Sequence, residues 1–286
     1  MLALLLLMAL LYSLQSLFCR IYTDAQHGGG AIQFAVFYSA FAGVCTLAAN
    51  GFAYAPSRVT LALGLVNALV LLIYNIAMLK CGTLGSYAFM MICVLSGGIL
   101  VPMVYDAMYL GFVFSPLQLF AILLILAAFI VMNLDGFRAR KDSRYLLLCA
   151  LLFAVNGLYG VIMNLQQNMM QFTQRSEMII TTFLGMAVLT GAYEMIFARK
   201  AFLEGYRMPR RAVLPMVLSA LSATLAVNLL LYLMKSVNLT LLSVIDNGGV
   251  MVLSAIYAFV IFKEKPDAKT VLGILMACVS VILLSL

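Results

Sequence analysis

The strongest sign of chemistry in this sequence is a carboxylate followed by an amide inside a long apolar stretch. Asp246 and Asn247 come one helical turn after Ser243 and beside the Gly248-Gly249 pair, so a helix places these polar groups in one stripe. Asp246 is the eighth residue of its apolar stretch, which corresponds to about 10 Å into a membrane. A carboxylate at that depth binds a cationic group, takes up a proton, or bonds to a neighbouring hydroxyl in a helix contact. All three interpretations stay open.

Similar polar stripes recur in other apolar stretches. Side chains three, four or seven residues apart share one face of a helix. With Ser243, Asp246 and Asn247, the candidate substrate-binding residues are Tyr12, Gln15, Asn67, Tyr74, Asn75, Ser96, Asn156, Asn228 and Tyr232. A cavity lined by them is uncharged apart from Asp246, which favours a small polar or zwitterionic metabolite or an amphipathic cation over an anionic sugar phosphate. For each residue alone, helix packing is the competing interpretation.

The elements that must position these residues are membrane-spanning helices. The chain has 286 residues, of which 65% are hydrophobic and only 9% charged, and this excludes an ordinary soluble protein. Continuous apolar runs of about 20 residues predict helices rather than barrel strands, whose hydrophobicity alternates. The predicted fold is therefore an all-α integral membrane protein with ten transmembrane helices, at residues 2–22, 31–53, 59–79, 83–105, 114–134, 145–165, 178–198, 212–234, 239–262 and 268–286.

The charged residues set the predicted topology. The formal net charge is +7, and 14 of the 17 Lys and Arg residues lie in or beside the odd-numbered loops. The positive-inside rule then places both termini outside the cytoplasm, and the basic loops need no nucleic-acid partner. We expect a multi-pass protein of a bacterial inner (plasma) membrane, surrounded by the lipid bilayer. Glu194, close to the end of its span, is expected to pair with Arg199 and Lys200 at the membrane surface.

Enzyme chemistry and cofactors are not expected. The only histidine, His27, lies in a glycine-rich loop, and one histidine makes neither a metal site nor a triad by itself. A single deep aspartate cannot form the pair that an aspartyl protease needs. The cysteines show no CxxC spacing and are interpreted as small buried thiols; they are Cys19, Cys45, Cys81, Cys93, Cys149 and Cys278.

The two halves of the chain share one pattern. The matching segments, in order, are 14–18 with 155–159, 77–80 with 232–235, and 96–100 with 247–251. We therefore predict a first five-helix repeat at residues 1–134, a basic linker loop at 135–144 and a second repeat at 145–286. Because each half has an odd number of spans, the halves enter the membrane from opposite sides, which is the architecture of alternating-access carriers. A substrate site is expected where they meet near the midplane.

Ten short-looped helices in two repeats, each with a small-residue fourth helix, resemble the drug/metabolite transporter superfamily. The closing segment 262–266, Phe-Lys-Glu-Lys-Pro, before a last helix with Gly273, is similar to its EamA-like branch. The first half lacks the glutamate that matches Glu264, and the chain has no tryptophan. The resemblance implies a secondary transporter, a permease or exporter acting in efflux by alternating access, whose cavity is lined by the first, third and fourth helices of each half. It also implies cytoplasmic termini, opposite to the charge count.

Several alternatives stay open at this stage. Transport could be proton-coupled through Asp246, uncoupled, or an exchange of solutes. The main competing function is a flippase for lipid headgroups or lipid-linked sugars, because relatives in the superfamily are thought to handle such substrates. Small residues in the last helix of each half could support a homodimer.

Overall fold

Ten α-helices account for nearly all of the described chain. The computed structural model describes residues 2–25, 31–85, 87–132, 134, 142–197, 209–263 and 268–284, and within these ranges there is no β-strand. The predicted all-α fold is confirmed. The helices are α1 Leu2–Ala25, α2 Ala31–Ala49, α3 Arg58–Leu84, α4 Tyr87–Met108, α5 Pro116–Met132, α6 Ser143–Met169, α7 Arg175–Phe197, α8 Arg210–Leu233, α9 Leu239–Val260 and α10 Ala268–Leu284.

Eight of these helices are long and apolar enough to cross a membrane. The other two, α5 and α10, have 17 residues each and are at the short end of the spanning range. A helix suits this environment because all its backbone polar groups can bond within the segment. The ten predicted helices lie in their expected places, most of them with shifted ends.

The shifted ends have identifiable causes. α2 stops at Ala49 because Gly51 and Phe52 adopt left-handed conformations, with φ of 63° and 60°. α4 continues three residues past the predicted end and α6 continues four residues past it. The predicted spans ended just before the polar residues Asp106 and Gln166. The helices continue through these residues because both side chains are buried against other helices.

The chain forms two compact units, and each draws on both halves of the sequence. The first unit consists of Met1–Ser13, Ile76–Val161 and Leu233–Leu286, and the second of Leu14–Asn75 and Ile162–Tyr232. Spatial units and sequence repeats are different divisions of the chain. The repeat boundaries at 134 and 145 therefore stay a prediction.

In the first unit, fourth helices pack on first helices of the opposite half. α4 meets α6 where Gly97 lies against the carbonyl of Phe153, and Gly157 lies against Val101. α9 meets α1 where Gly249 faces Ala9, at a separation that leaves no room for a Cβ. In each contact the fourth helix of one half packs on the first helix of the other half. This packing is what two halves related by a pseudo-two-fold axis would show.

The apolar core of the first unit joins α4, α5, α9 and α10. Its centre contains Ile99, Ile125, Phe129, Val244 and Ala277, all fully buried. Hydrophobic side chains from four helices therefore hold the glycine-bearing segments of α4 and α9 together. These segments carry Ser96, Gly98 and the Asp246-Asn247 pair.

The second unit is built around α2, α3 and α7. Gly43 of α2 lies against Leu184 of α7, and Ala35, Ala68 and Met186 form a small buried cluster. A polar network closes one end of this unit: the Gln166 side-chain nitrogen donates to the Thr60 hydroxyl over 2.8 Å, and that hydroxyl donates to Gln174 Oε1 over 2.6 Å.

Some predictions concern residues outside the described ranges. These are His27, Arg199 and Lys200, the glutamate Glu264 of the closing segment, and the part of the linker loop at residues 135–141.

Candidate functional site

Two predicted site residues from different helices meet at a glycine. A methyl group on Gly98 of α4 would lie 2.7 Å from the side-chain nitrogen of Asn156 in α6 and 3.0 Å from that of Asn247 in α9. Both amides are half-buried. Only a residue without a side chain lets the two amides approach α4 so closely. The structure therefore brings Asn156 and Asn247 together, as the prediction of a common site requires.

The hydrogen bonds of these amides fix their orientation. Asn156 Nδ2 donates to the Val94 carbonyl over 2.8 Å, and Asn247 Nδ2 donates to the Ser243 carbonyl over 2.8 Å. Among the described residues, neither amide oxygen has a hydrogen-bond donor. One N–H of each nitrogen is engaged with backbone and neither oxygen has a donor, so both amides offer their acceptor ends.

The carboxylate beside Asn247 has a phenol as its neighbour. Asp246 is half-buried and lies close enough to Tyr159 for its charge to act on the phenol. Within the described part of the chain, Asp246 makes no hydrogen bond. Tyr159 lies three residues after Asn156 on α6, so both side chains point from one face of that helix. We call Gly98, Asn156, Tyr159, Asp246 and Asn247 the amide cluster.

A proline adds a further acceptor to the amide cluster. Pro102 lies inside α4, and a proline has no N–H to give to the carbonyl four residues earlier. The Gly98 carbonyl therefore cannot receive the usual helical hydrogen bond from residue 102. The cluster is consequently rich in acceptors: a carboxylate, two amide oxygens and a backbone carbonyl.

Such an arrangement suits a ligand that donates hydrogen bonds and carries positive charge. An ammonium group has three donors, and hydrogen bonds to a carboxylate are about twice as strong as those between neutral groups. An anionic ligand would instead meet the charge of Asp246 with no Lys or Arg in the cluster. No group of three or more His, Cys, Asp or Glu side chains in the described ranges is placed to hold a metal ion.

The remaining predicted residues of the first unit are Tyr12, Ser96 and Ser243. All three are half-buried. Ser243 contributes its carbonyl to the amide of Asn247. Their part in binding stays a prediction.

Six predicted residues lie in the second unit, where hydrogen bonds hold three of the amides. Gln15 Nε2 donates to the Tyr38 hydroxyl over 3.2 Å. Asn75 and Asn228 each donate to the carbonyl one turn earlier in their own helix, over 2.8 Å. Tyr74 is half-buried beside Asn75. These bonds satisfy one end of each amide and leave any contact with a substrate a prediction.

Asn67 and Tyr232 differ from the others. Asn67 is fully buried, and neither polar atom of its side chain has a hydrogen-bond partner in the described ranges. Tyr232 lies in the last turn of α8 with 53% of its surface exposed, and the guanidinium of Arg175 lies 5.6 Å from its ring centre.

Two notable polar residues escaped the sequence analysis, and the burial of a third was not predicted. Tyr159 was visible only as an aromatic repeat position, and Asp106 fell just outside the predicted fourth span. Glu194 was expected to pair with Arg199 and Lys200, which lie outside the described residues, so that ion pair stays a prediction. In the structure only 1% of Glu194 is exposed, and its Oε2 has no hydrogen-bond partner among the described residues. The sequence carried no signal of this burial, because nearly all positions of α7 are uncharged whether they are buried or not.

Two apolar grooves lie elsewhere. One, of about 360 Å³, is bounded by Leu100, Val104, Met108, Phe153 and Val161 of α4 and α6. The other, of about 450 Å³, lies in the second unit against Leu61, Leu65, Leu184 and Val188. Neither groove is lined by any of the twelve predicted residues.

Comparison with known proteins identifies relatives of this architecture. The model of the EamA-like transporter family matches residues 143–286, which is half of the chain and contains α6 to α10. Among solved structures, 29 chains match. One crystal structure superposes with a TM-score of 0.76, covering 98% of this chain and 94% of the other at 16% sequence identity, and this likeness concerns the fold alone. No curated protein matches the chain.

Proposed function

Because this chain belongs to the EamA-like transporter family, and is therefore a membrane transporter of the drug/metabolite transporter superfamily, we propose that it carries small metabolites bearing an ammonium group. Amino acids and organic cations are the substrate classes concerned. The amide cluster of the first unit is the proposed binding site, and transport proceeds by alternating access.

The single observation that supports this substrate class is the orientation of Asn156 and Asn247. Their nitrogens are bound to backbone carbonyls at 2.8 Å, so the oxygens remain for a ligand that donates hydrogen bonds. Asp246 supplies the opposite charge on the neighbouring position of α9. A buried charge is stable only when it is paired and hydrogen-bonded, and an ammonium group meets both needs of the carboxylate.

A carboxylate that takes up a proton loses its charge and binds an ammonium group less tightly. Substrate and proton therefore compete for Asp246, and this competition would couple the exit of a cationic substrate to the entry of a proton. Proton-coupled efflux follows if the empty carrier returns only with Asp246 protonated. The same residue in a simple facilitator would bind substrate without coupling.

The test is uptake into proteoliposomes of labelled amino acids, polyamines and quaternary amines, with and without a proton gradient. We expect the pH gradient to drive accumulation by wild type, and Asp246→Asn to lose both gradient-driven transport and affinity for the cationic substrate. Glu194→Gln is the matched control, because it neutralises a different buried carboxyl in the second unit. Unchanged affinity in Asp246→Asn, or equal losses in the two variants, would contradict the proposed role of Asp246.

A flippase for lipid headgroups or lipid-linked sugars is the second candidate. The apolar groove of about 360 Å³ favours it, because this groove lies on α4 and α6, the helices that carry Gly98 and Asn156. An acyl chain in the groove would bring its headgroup towards the amide cluster. Transfer of a fluorescent aminophospholipid between leaflets, with no uptake of any soluble amine, would decide for this function.

A further inference from the structure

Two cysteines from opposite halves of the sequence lie side by side in the first unit. Sγ of Cys81, near the end of α3, is 3.5 Å from Sγ of Cys149, in the second turn of α6. Both side chains are buried, and both thiols are free. No feature of the sequence predicts their pairing, because they are 68 positions apart and lie in no cysteine motif.

The surroundings hold this thiol pair in place. Tyr145, one turn before Cys149, is buried and hydrogen-bonds to the Cys149 thiol. Its ring packs against Gly85, where a methyl group would come within 2.5 Å of a ring carbon. A third thiol, Cys93 of α4, lies near both Cys81 and Tyr145. The pair is therefore a confined site formed by three helices.

We propose that Cys81 and Cys149 are a redox-modification site, at which a reversible disulfide joins α3 to α6. A disulfide needs the two sulfurs about 2.05 Å apart, so they must approach by about 1.5 Å, which small side-chain rotations supply. Two sulfurs that already touch need no unfolding of either helix to react.

The oxidant is a peroxide. One thiol is oxidised by hydrogen peroxide to a sulfenic acid with release of one water, and the other thiol then displaces a second water from that sulfur. Two thiols and one hydrogen peroxide thus give a disulfide and two waters, and two electrons pass from sulfur to oxygen. A small dithiol reverses the step by exchange and is itself oxidised to a disulfide.

Burial decides which reagents reach the site. Hydrogen peroxide and a small dithiol are both small and neutral, so the packed interior hinders them less than it hinders a bulky or charged reagent. In a reducing compartment the pair rests as two thiols. Oxidation is therefore a response to peroxide and not part of the folded resting state.

The position of the pair gives the disulfide a consequence for transport. Cys149 lies seven residues before Asn156 of the amide cluster, and Cys81 lies seven residues after Tyr74, so each shares a helix face with a predicted substrate contact two turns away. A covalent link at this level fixes α3 against α6 and stops any cycle that changes their spacing. This consequence for activity rests on the proposed function, whereas the formation of the bond does not.

The test starts with the bond itself. The full-length protein in native membranes is treated with hydrogen peroxide, remaining thiols are alkylated, and linked peptides are identified by mass spectrometry. We expect a Cys81–Cys149 peptide that disappears on treatment with dithiothreitol. It should be absent from Cys81→Ala and Cys149→Ala but present in Cys93→Ala and in Cys45→Ala, which changes a half-buried thiol of the second unit. Size-exclusion chromatography confirms that each variant is folded.

Transport is then measured on the same samples. Activity should fall in proportion to the linked fraction in wild type, recover with dithiothreitol, and resist peroxide in Cys81→Ala. Absence of the linked peptide in folded protein, or linkage of Cys93 in place of Cys81, overturns the proposal. Linkage that leaves transport unchanged overturns the regulatory part alone. If even the reduced protein shows no transport, the proposed function is contradicted. The linked peptide still shows whether the disulfide between Cys81 and Cys149 forms.

Discussion

The carboxylate of Asp106 accepts two hydrogen bonds from Thr240, one from its backbone N–H and one from its hydroxyl, each 2.7 Å long. Asp106 lies in the last turn of α4 and Thr240 in the first turn of α9, and both are fully buried. The first N–H groups of a helix lack partners within the helix, and its dipole favours a negative charge there. Asp106 therefore ties α4 to the beginning of α9, the helix that carries Asp246.

Replacing Asp106 should destabilise the first unit. Asp106→Ala leaves both the N–H and the hydroxyl of Thr240 buried without an acceptor, at a cost of about 2–3 kcal/mol. Thr240→Val removes only the hydroxyl bond and should cost less. Thermal unfolding of the purified protein in detergent measures both effects. Equal melting temperatures for wild type and Asp106→Ala would show that this contact adds nothing to stability.

A methyl group at Gly98 should impair the amide cluster. In Gly98→Ala the new Cβ lies 2.7 Å from the nitrogen of Asn156 and 3.0 Å from that of Asn247. Both amides must move, and overpacking of this kind costs about 1–3 kcal/mol. We expect weaker binding of a cationic substrate, measured by isothermal titration calorimetry or scintillation proximity.

Gly191→Ala is the matched control for Gly98→Ala. Gly191 lies inside α7, and a Cβ there meets nothing within 4 Å. The substitution should leave substrate affinity unchanged and raise helix stability by up to about 1 kcal/mol. If the two variants bound substrate equally well, the amide cluster would not be the binding site.

Neutralising Glu194 should stabilise the protein. The carboxyl is buried in α7, and so is the hydroxyl of Thr190 one turn earlier; Glu194 Oε2 and Thr190 Oγ1 have no hydrogen-bond partner in the described part of the chain. Glu194→Gln keeps the shape and removes the cost of burying a charge. We expect a higher melting temperature.

Glu177→Gln should change the melting temperature in the opposite direction. Glu177 lies in the first turn of the same helix, where a carboxylate interacts favourably with the helix dipole by about 0.3–1 kcal/mol. Its replacement should lower the melting temperature slightly. If Glu194→Gln lowered the melting temperature instead, the Glu194 charge would have a stabilising partner, as in the surface ion pair first expected for it.

Apolar run length was sufficient to predict the helices but not their ends. Asp106 and Gln166 were assigned to loops because each follows an apolar run directly. In the structure both belong to helices, since Asp106 bonds to Thr240 and Gln166 bonds to Thr60. A polar side chain ends a span in the sequence only if water is its partner, and the partner is a property of the fold.

For the Asp246-Asn247 segment too, some features could be predicted from the sequence and others depend on the tertiary structure. Its place well inside an apolar stretch and its neighbouring glycines were evident from the sequence, which also predicts that this segment matches residues 96–100. That Asn247 meets Asn156 across Gly98, with both amide nitrogens engaged, was not evident. Tyr159 and the thiol pair of Cys81 and Cys149 were likewise invisible.

The sequence by itself determined that this protein is a bundle of membrane helices, because hydrophobicity along one segment decides whether that segment can leave water with its backbone bonds closed. Only the tertiary structure decided which polar groups meet. Contacts such as that between Asn156 and the Val94 carbonyl join residues 62 positions apart. They depend on which helix faces pack together, and in a chain this apolar many packings bury equal hydrophobic area, so glycines and hydrogen bonds between helices select among them.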